Sequence, residues 1–342
     1  MAKKSPFSGL SPEILAKRKK LAEPSFIDPM LATLTDKYFS SKDWIYEHKF
    51  DGERCLAFKK HGKVTIKSRN KRVINDEYPE LVIALTQQPA HDFVIDGEII
   101  AVEKKGGLSD FQLLQGRINL RIDKKIAQQE KNVPIYYQIF DIMYADGYDI
   151  RELPLLARKK ILKNTLNFKG VLKYSDHRST EGLKFFKEAC KLHWEGLIAK
   201  RAKSTYQGIR SRDWLKFKCV MEQELVIIGY TEPKGSRTDF GALLVGYYKG
   251  KKLMYAGKVG TGFNQEVLKM LGARLRKLKT STSHVSNYTL STKDVHWVKP
   301  KLVAEFKFAE WTRGGRLRVG RYKGMRDDKK AHDVVKEVPT KK

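Results

Sequence analysis

The chain has 342 residues, more than one typical core needs, and a hydrophobic fraction of 41% that is ordinary for a globular protein, so two domains are expected. Its 68 Lys and Arg against 39 Asp and Glu leave a formal charge of +29, which points to a polyanion such as nucleic acid, although acidic membranes and acidic proteins also attract such a surface. No apolar run approaches the roughly 20 residues that cross a bilayer, the N-terminus lacks the apolar core of a secretory signal, and three scattered cysteines argue against a zinc site or a disulfide framework. The expectation is a cytoplasmic protein with reduced thiols, outside any membrane.

Residues 1–30 are basic and poor in strand pattern, and read as an arm with one helix over 11–21, opened by Ser11, Pro12 and Glu13 as cap and first turn. Apolar alternations at 44–50, 55–60, 63–68, 93–102 and 135–144 predict antiparallel strands, with helices near 78–86, 155–165 and 181–192. These fill a first domain over 31–219. A second domain, 220–342, alternates like a small barrel at 221–231, 241–249 and 252–260, turns helical over 264–278, and adds strands at 302–312 and 317–323. Roughly five strands and one helix fit an oligonucleotide-binding (OB-fold) barrel better than a sandwich. The tail after His332 is Lys-rich and expected to fray. The fold class is α+β: an antiparallel-sheet domain followed by a barrel.

Chemistry concentrates first at Glu47-His48-Lys49-Phe50-Asp51-Gly52-Glu53-Arg54, an apolar strand that ends in a lysine and turns at Asp-Gly. Alone, such a lysine is most often a solvated strand end. The wider set is what matters. Ser68-Arg69-Asn70, Glu98 after Asp96-Gly97, Phe140-Asp141, Glu195-Gly196 through Lys200, Trp214 through Lys218, and Arg326-Asp327-Asp328-Lys329 follow in order. With Lys49-Phe50-Asp51-Gly52 they resemble the motifs of the covalent nucleotidyltransferase superfamily, the ATP-dependent DNA ligases and capping enzymes. The similarity is greatest to the ligase module of bacterial multifunctional end-joining ligases, over about 28 to 335. No polymerase or nuclease module fits in the remainder, which implies a stand-alone version.

The resemblance implies a nucleotidyltransferase (adenylation) domain, then an OB-fold domain, with Lys49 as the nucleophile that takes AMP from ATP. A lysine attacks phosphorus only when unprotonated, and its usual pKa of about 10.4 must fall through nearby cations, burial or a metal. Arg54, Lys200, Lys216 and Lys218 would supply that field, Arg69 would contact nucleotide or DNA, and Glu47 would read the adenine amino group. Phe140 and Ile198 would sandwich the base. Glu98 would contact the ribose or a metal, and Glu195 would support Mg2+ or Mn2+. Arg326, Asp328 and Lys329 would close over ATP and orient pyrophosphate, in the first step only. Lys17, Arg18, Lys19 and Lys20 would grip DNA. Each has a plainer reading alone: solvated basic faces, turn carboxylates, core aromatics.

The implied activity is sealing of 3′-hydroxyl/5′-phosphate nicks in duplex DNA, as a monomer, in repair, alongside end-joining or repair factors. Its rivals are an RNA ligase or capping guanylyltransferase, separable by ATP against GTP labelling, and a barrel module that binds DNA without catalysis. A NAD-dependent ligase would need four zinc cysteines and a further N-terminal domain.

Overall fold

The computed structural model describes residues 5–337, apart from Glu23, 103–108, 110–112, 115–133, Val220, Lys234, Ser236, 289–293 and Arg313. The chain divides into two compact units, one ending at Cys219 and the other spanning Val220–Val338.

In the first unit the strands are β1 (Lys19–Lys20), β2 (Leu31–Leu34), β3 (Trp44–His48), β4 (Glu53–Lys60), β5 (Lys63–Ser68), β6 (Phe93–Ala101), β7 (Ile135–Ala145), β8 (Tyr148–Asp149), β9 (Leu172–Tyr174), β10 (His177–Ser179), β11 (Gly196–Arg201) and β12 (Arg210–Lys218). The helices are α1 (Pro12–Leu15), α2 (Pro79–Thr86), α3 (Leu155–Thr165) and α4 (Gly182–Lys191). One sheet runs β1-β8-β7-β6-β4-β5, with β9 against β7, and the other runs β10-β3-β11-β12-β2. Pairing is antiparallel except for β2 on β12 and β9 on β7.

Alternation along the strands explains how the sheets stack. In β4, Cys55 and Ala57 join a core with α2 and α3, whereas Leu56 and Phe58 point the other way. They meet Met30, Phe140, Tyr206 and Trp214, so residues of both sheets share a middle layer. On the second sheet Trp44, Tyr46, Leu197, Ala199 and Phe217 pack under Phe185 and Ala189 of α4. The intervening residues of β3, β11 and β12 must therefore face the middle layer.

The helix expected over 11–21 is corrected. Only one turn forms, capped by the Ser11 hydroxyl, because so short a segment cannot hold helix unaided. Lys19 and Lys20 instead pair with Asp149 and Tyr148 at the sheet edge. Arg18 lies 4.8 Å and 4.3 Å from the ring centroids of Phe7 and Tyr148. Phe7, Ile27 and Met30 are buried, so the described part of the arm is packed chain. The reduced-thiol expectation is also corrected: Cys190 and Cys219 form a disulfide with Cα atoms 5.2 Å apart, and only Cys55 is a free, buried thiol. α4 crosses the outer face of the second sheet, which brings its last turn to the end of β12 despite 29 residues of separation.

The second unit contains β13 (Met221–Thr231), β14 (Leu243–Lys249), β15 (Lys252–Val259), α5 (Gln265–Lys277), β16 (Lys279–Thr280), β17 (Val295–Phe308), β18 (Glu310–Trp311), β19 (Leu317–Arg318) and β20 (Arg321–Met325). Its sheet runs β15-β14-β13-β17-β16, with β20 also on β17. β17 begins earlier than expected because it bulges around Pro300. Its pairing with β13 jumps from Leu302 to Trp297, and a proline without an N–H is accommodated in such a bulge. The tail is not frayed where it is described: Val334 is buried and its carbonyl accepts from Tyr248. Residues 338–342 lie outside the described residues. Among the described residues no helix is long and apolar enough to cross a membrane.

Candidate active site

The strand period puts the site together. β3, β11 and β12 lie side by side, with Glu47 opposite Ile198 and Ile198 opposite Lys216. Residues directly across a ladder share a face, as do residues two apart on one strand. Glu47, Ile198, Lys200, Lys216 and Lys218 consequently occupy the face toward the middle layer, and Lys49 follows two residues after Glu47. The Lys49 backbone N–H donates to the Gly196 carbonyl at 3.0 Å, and its ammonium pairs with the Glu195 carboxylate, which is largely buried. The Cys219 N–H donates to the Glu195 carbonyl at 3.0 Å, fastening that loop to the end of β12.

The Asp51-Gly52 turn needs glycine for a steric reason. A Cβ at Gly52 would stand 2.1 Å from the Ile99 carbonyl and 3.0 Å from Glu98 Cγ. Only a bare backbone lets the turn after Lys49 press onto β6 beside Glu98. Glu98 in turn sits opposite Arg54 in the ladder.

Arg54 is held bidentately by Asp96, with both contacts at 2.6 Å, and Asp96 also accepts from the Tyr206 hydroxyl at 2.6 Å. The Arg54 guanidinium lies 4.5 Å from the Phe140 ring centroid, and the Lys200 ammonium lies 4.3 Å from the same centroid. Ile198 packs on the cluster that contains Phe140 and Trp214. The two candidate base-binding side chains, one from each sheet, are thus brought together.

Glu47 is fully enclosed. Its Oε1 accepts from Lys159 at 2.7 Å, and its Oε2 accepts from Lys200 at 2.8 Å and from the Ser175 hydroxyl at 3.1 Å. Burial opposes ionisation, but the two ammonium groups outweigh it and hold the Glu47 carboxyl below the usual range. Burial pulls Lys200 down to about 8 against the attraction of Glu47. His48, stacked 3.8 Å from Trp194, is pulled down to about 4 by burial and stays neutral near pH 7.

Other predicted residues sit elsewhere. Arg69 lies in the turn after β5, where the Lys71 N–H returns to the Ser68 carbonyl. Arg18, Lys19 and Lys20 lie at or beside the far edge of the first sheet, with Lys17 just before them. In the second unit Arg326 binds Asp328 through two contacts of 2.8 Å and approaches Glu224 and Glu305 at 3.5 Å and 3.6 Å, while Lys329 reaches Glu224 at 3.0 Å. Sequence reasoning did not single out Glu224, Glu305, Asp96, Tyr206, Ser175 or Lys159. For Lys159 there was a signal: a lysine four residues after Leu155 and three before Leu162 falls on the apolar stripe of α3. Among the described residues no group of three or more metal-ligating side chains occurs.

Comparison with known proteins places relatives along both units. The model of the ATP dependent DNA ligase domain matches residues 29–218, and that of the ATP dependent DNA ligase C terminal region matches 236–329. The multifunctional non-homologous end joining protein LigD of Pseudomonas aeruginosa is 36% identical over 94% of this chain and 38% of its own length. A probable DNA ligase of Dictyoglomus thermophilum is 32% identical over 85% of this chain and 55% of its own. The structure titled mycobacterial DNA ligase D complexed with ATP and MES is similar at a TM-score of 0.65 and 32% identity, over 91% of this chain and 98% of that one. The chain spans about two fifths of the length of the end-joining relatives.

Proposed function

The chain belongs to the ATP-dependent DNA ligases, and on that premise we propose that it seals 3′-hydroxyl/5′-phosphate nicks in duplex DNA through a covalent lysine–AMP intermediate on Lys49. The observation that carries the reading is the single face shared by Glu47, Ile198, Lys200, Lys216 and Lys218, with Lys49 at its end beside Glu195.

The Lys49 amine, once it has lost its proton, attacks the α-phosphorus of ATP. A P–N bond forms, the bond to the β-phosphate oxygen breaks, and pyrophosphate leaves. The 5′-phosphate oxygen at a nick then displaces the Lys49 amine and takes AMP. Finally the 3′-hydroxyl attacks that phosphate and AMP departs. Lys216 and Lys218 offset charge on the transferred phosphate, and Arg54, fixed by Asp96, keeps its place without reorganising. Glu98 and Glu195 offer the hard oxygens that would hold Mg2+ or Mn2+, which supplies further neutralisation of phosphate when bound.

Base choice follows from the enclosed triad. An ionised Glu47 only accepts hydrogen bonds, and Lys200 beside it only donates. Adenine presents an amino donor next to a ring-nitrogen acceptor and guanine presents the reverse, so the pair favours ATP over GTP. Phosphate contacts dominate the duplex interface, so recognition is of the nick and not of its sequence. Action as a monomer in DNA repair, with end-joining factors as partners, belongs to the same proposal.

The test is incubation with α-labelled ATP and a nicked duplex, followed at each step. Wild type is expected to form a labelled enzyme and then seal, and Lys49→Ala and Lys49→Arg to form no adduct, since a guanidinium stays protonated. An adduct of normal yield on Lys49→Ala sinks the assignment.

A further inference from the structure

A closed ring of hydrogen bonds surrounds the Arg54 guanidinium, and one of its members, the Tyr206 hydroxyl, has no part in the chemistry proposed above. Arg54 Nε donates to Asp96 Oδ1 and Arg54 Nη2 to Asp96 Oδ2, both at 2.6 Å. Nη2 also donates to the Met30 carbonyl at 3.2 Å. The Met30 N–H donates to the Tyr206 oxygen at 3.0 Å, and the Tyr206 hydroxyl reaches Asp96 Oδ2 at 2.6 Å. Met30, just before β2, thus spends both of its backbone polar groups on the ring.

The direction of each bond is forced. A backbone N–H only donates, so the Tyr206 oxygen accepts from Met30 and its own proton goes to Asp96. Burial, with the Asp96 charge behind it, pushes the phenol well above its usual range, so that proton stays. The side chain is held on its other sides too. Its backbone N–H donates to the Arg151 carbonyl at 2.8 Å, and its ring meets Trp214 edge-on with centroids 6.0 Å apart. Met30, Asp96 and Tyr206 are all buried. A carboxylate held by Arg54 alone would pivot together with the guanidinium, whereas a third donor on Oδ2 fixes the plane of both.

We propose that Tyr206 is a positioning residue for lysine adenylation: its hydroxyl, held by the Met30 N–H, locks the Asp96 carboxylate and thereby aims Arg54 at the phosphate being transferred. This rests on the ligase reading above. The alternative is that the hydroxyl only moors the N-terminal stretch of the chain. Tyr144 is a matched control for that role, because it lies in the same buried cluster and its hydroxyl donates to the Leu21 carbonyl at 3.0 Å, yet it is not a member of the ring.

The experiment follows adduct formation by the full-length enzyme with α-labelled ATP in a single turnover, over a range of ATP, and records both the rate constant and the yield per protein. Tyr206→Phe keeps the ring, and its rate constant at saturating ATP should fall roughly tenfold. Half-saturating ATP should change less than about twofold, because only the charge that develops during transfer loses its aimed partner. The yield should stay that of wild type, since an unfolded fraction lowers yield and leaves the rate constant of the remainder unchanged. Tyr144→Phe should keep both rate constant and yield. Asp96→Asn keeps the side-chain volume and removes the acceptor on which the ring closes, so it should slow the same step at least as much, and it decides the matter if Tyr206→Phe does not fold. A rate constant within about twofold of wild type in either ring variant overturns the inference. So does an equal slowing in Tyr144→Phe, or a loss confined to half-saturating ATP; each of these leaves the ligase reading intact. Failure of wild type to form any AMP adduct would instead remove the ligase reading, and this inference with it.

Discussion

Replacing Lys159 by methionine tests how the Glu47 carboxylate, proposed to read the base, is held. The ammonium donates to Glu47 at 2.7 Å, to the Ser175 carbonyl at 3.0 Å and to the Phe140 carbonyl at 3.4 Å, in a place where both charged side chains are only 2% exposed. Removing one partner of a buried pair costs about 3–5 kcal/mol. Methionine keeps the volume of the stem, and Lys200 still holds the other Glu47 oxygen, so the low end applies, about 3 kcal/mol. In a unit of this size that lowers Tm by roughly 9 °C. With one oxygen released, Glu47 loses its fixed direction, and the preference for ATP over GTP in adduct formation should fall by about tenfold. Urea unfolding of Lys159→Met, Glu47→Gln and the double variant gives the coupling, expected to be at least ~1.5 kcal/mol. A single variant within about 0.5 kcal/mol of wild type, together with additive effects, refutes the reasoning.

Three further expectations are simpler. Asp328→Ala frees the Arg326 guanidinium from its bidentate partner; it should slow adenylation at least about tenfold yet seal a pre-adenylated nick nearly normally, as comparison of the two substrates will reveal. Burial pulls Lys200 to about 8, below an unfolded value of about 10.4. Between those values the folded state binds fewer protons, so stability rises with pH and the charge penalty stands in full below the window; Lys200→Met should flatten that part of a Tm-against-pH curve. Opening the Cys190–Cys219 bridge, which closes a loop of 29 residues, should cost about 3.6 kcal/mol in the chain-entropy account, measured as urea unfolding of the wild type with and without reductant, with Cys190→Ser as the unbridged control.

The middle-layer face was legible because its residues come in pairs two apart: 47 and 49, 198 and 200, 216 and 218. A strand that ends in Lys and turns at Asp-Gly needs no tertiary knowledge to be aimed. α3 was legible to the residue, since Leu155, Arg158, Ile161, Leu162 and Thr165 keep a helical period. The segment after Ser11 was not, because β1 exists only as an added edge to β8 and has no pattern of its own. The Cys190–Cys219 bridge was equally hidden, as it depends on where α4 lies across a sheet assembled from distant strands. Lys159 carried a signal that charge conceals: its partner is 112 residues away, so its position on an apolar stripe resembles a helix face with one solvated exception.

The ladder of Glu47, Ile198 and Lys216 also fixes which changes of length the gene can tolerate. One codon inserted directly after Trp214 would turn Lys216 and Lys218 toward the α4 side and bring Leu215 and Phe217 inward, exchanging charge for apolar side chains on the site face. The same codon inserted between β11 and β12, near the exposed Gln207, would lengthen a connection and leave every ladder partner in place. A scan of single-codon insertions should therefore read out the three strands as short intolerant blocks, with the connection between β11 and β12 as a permissive gap.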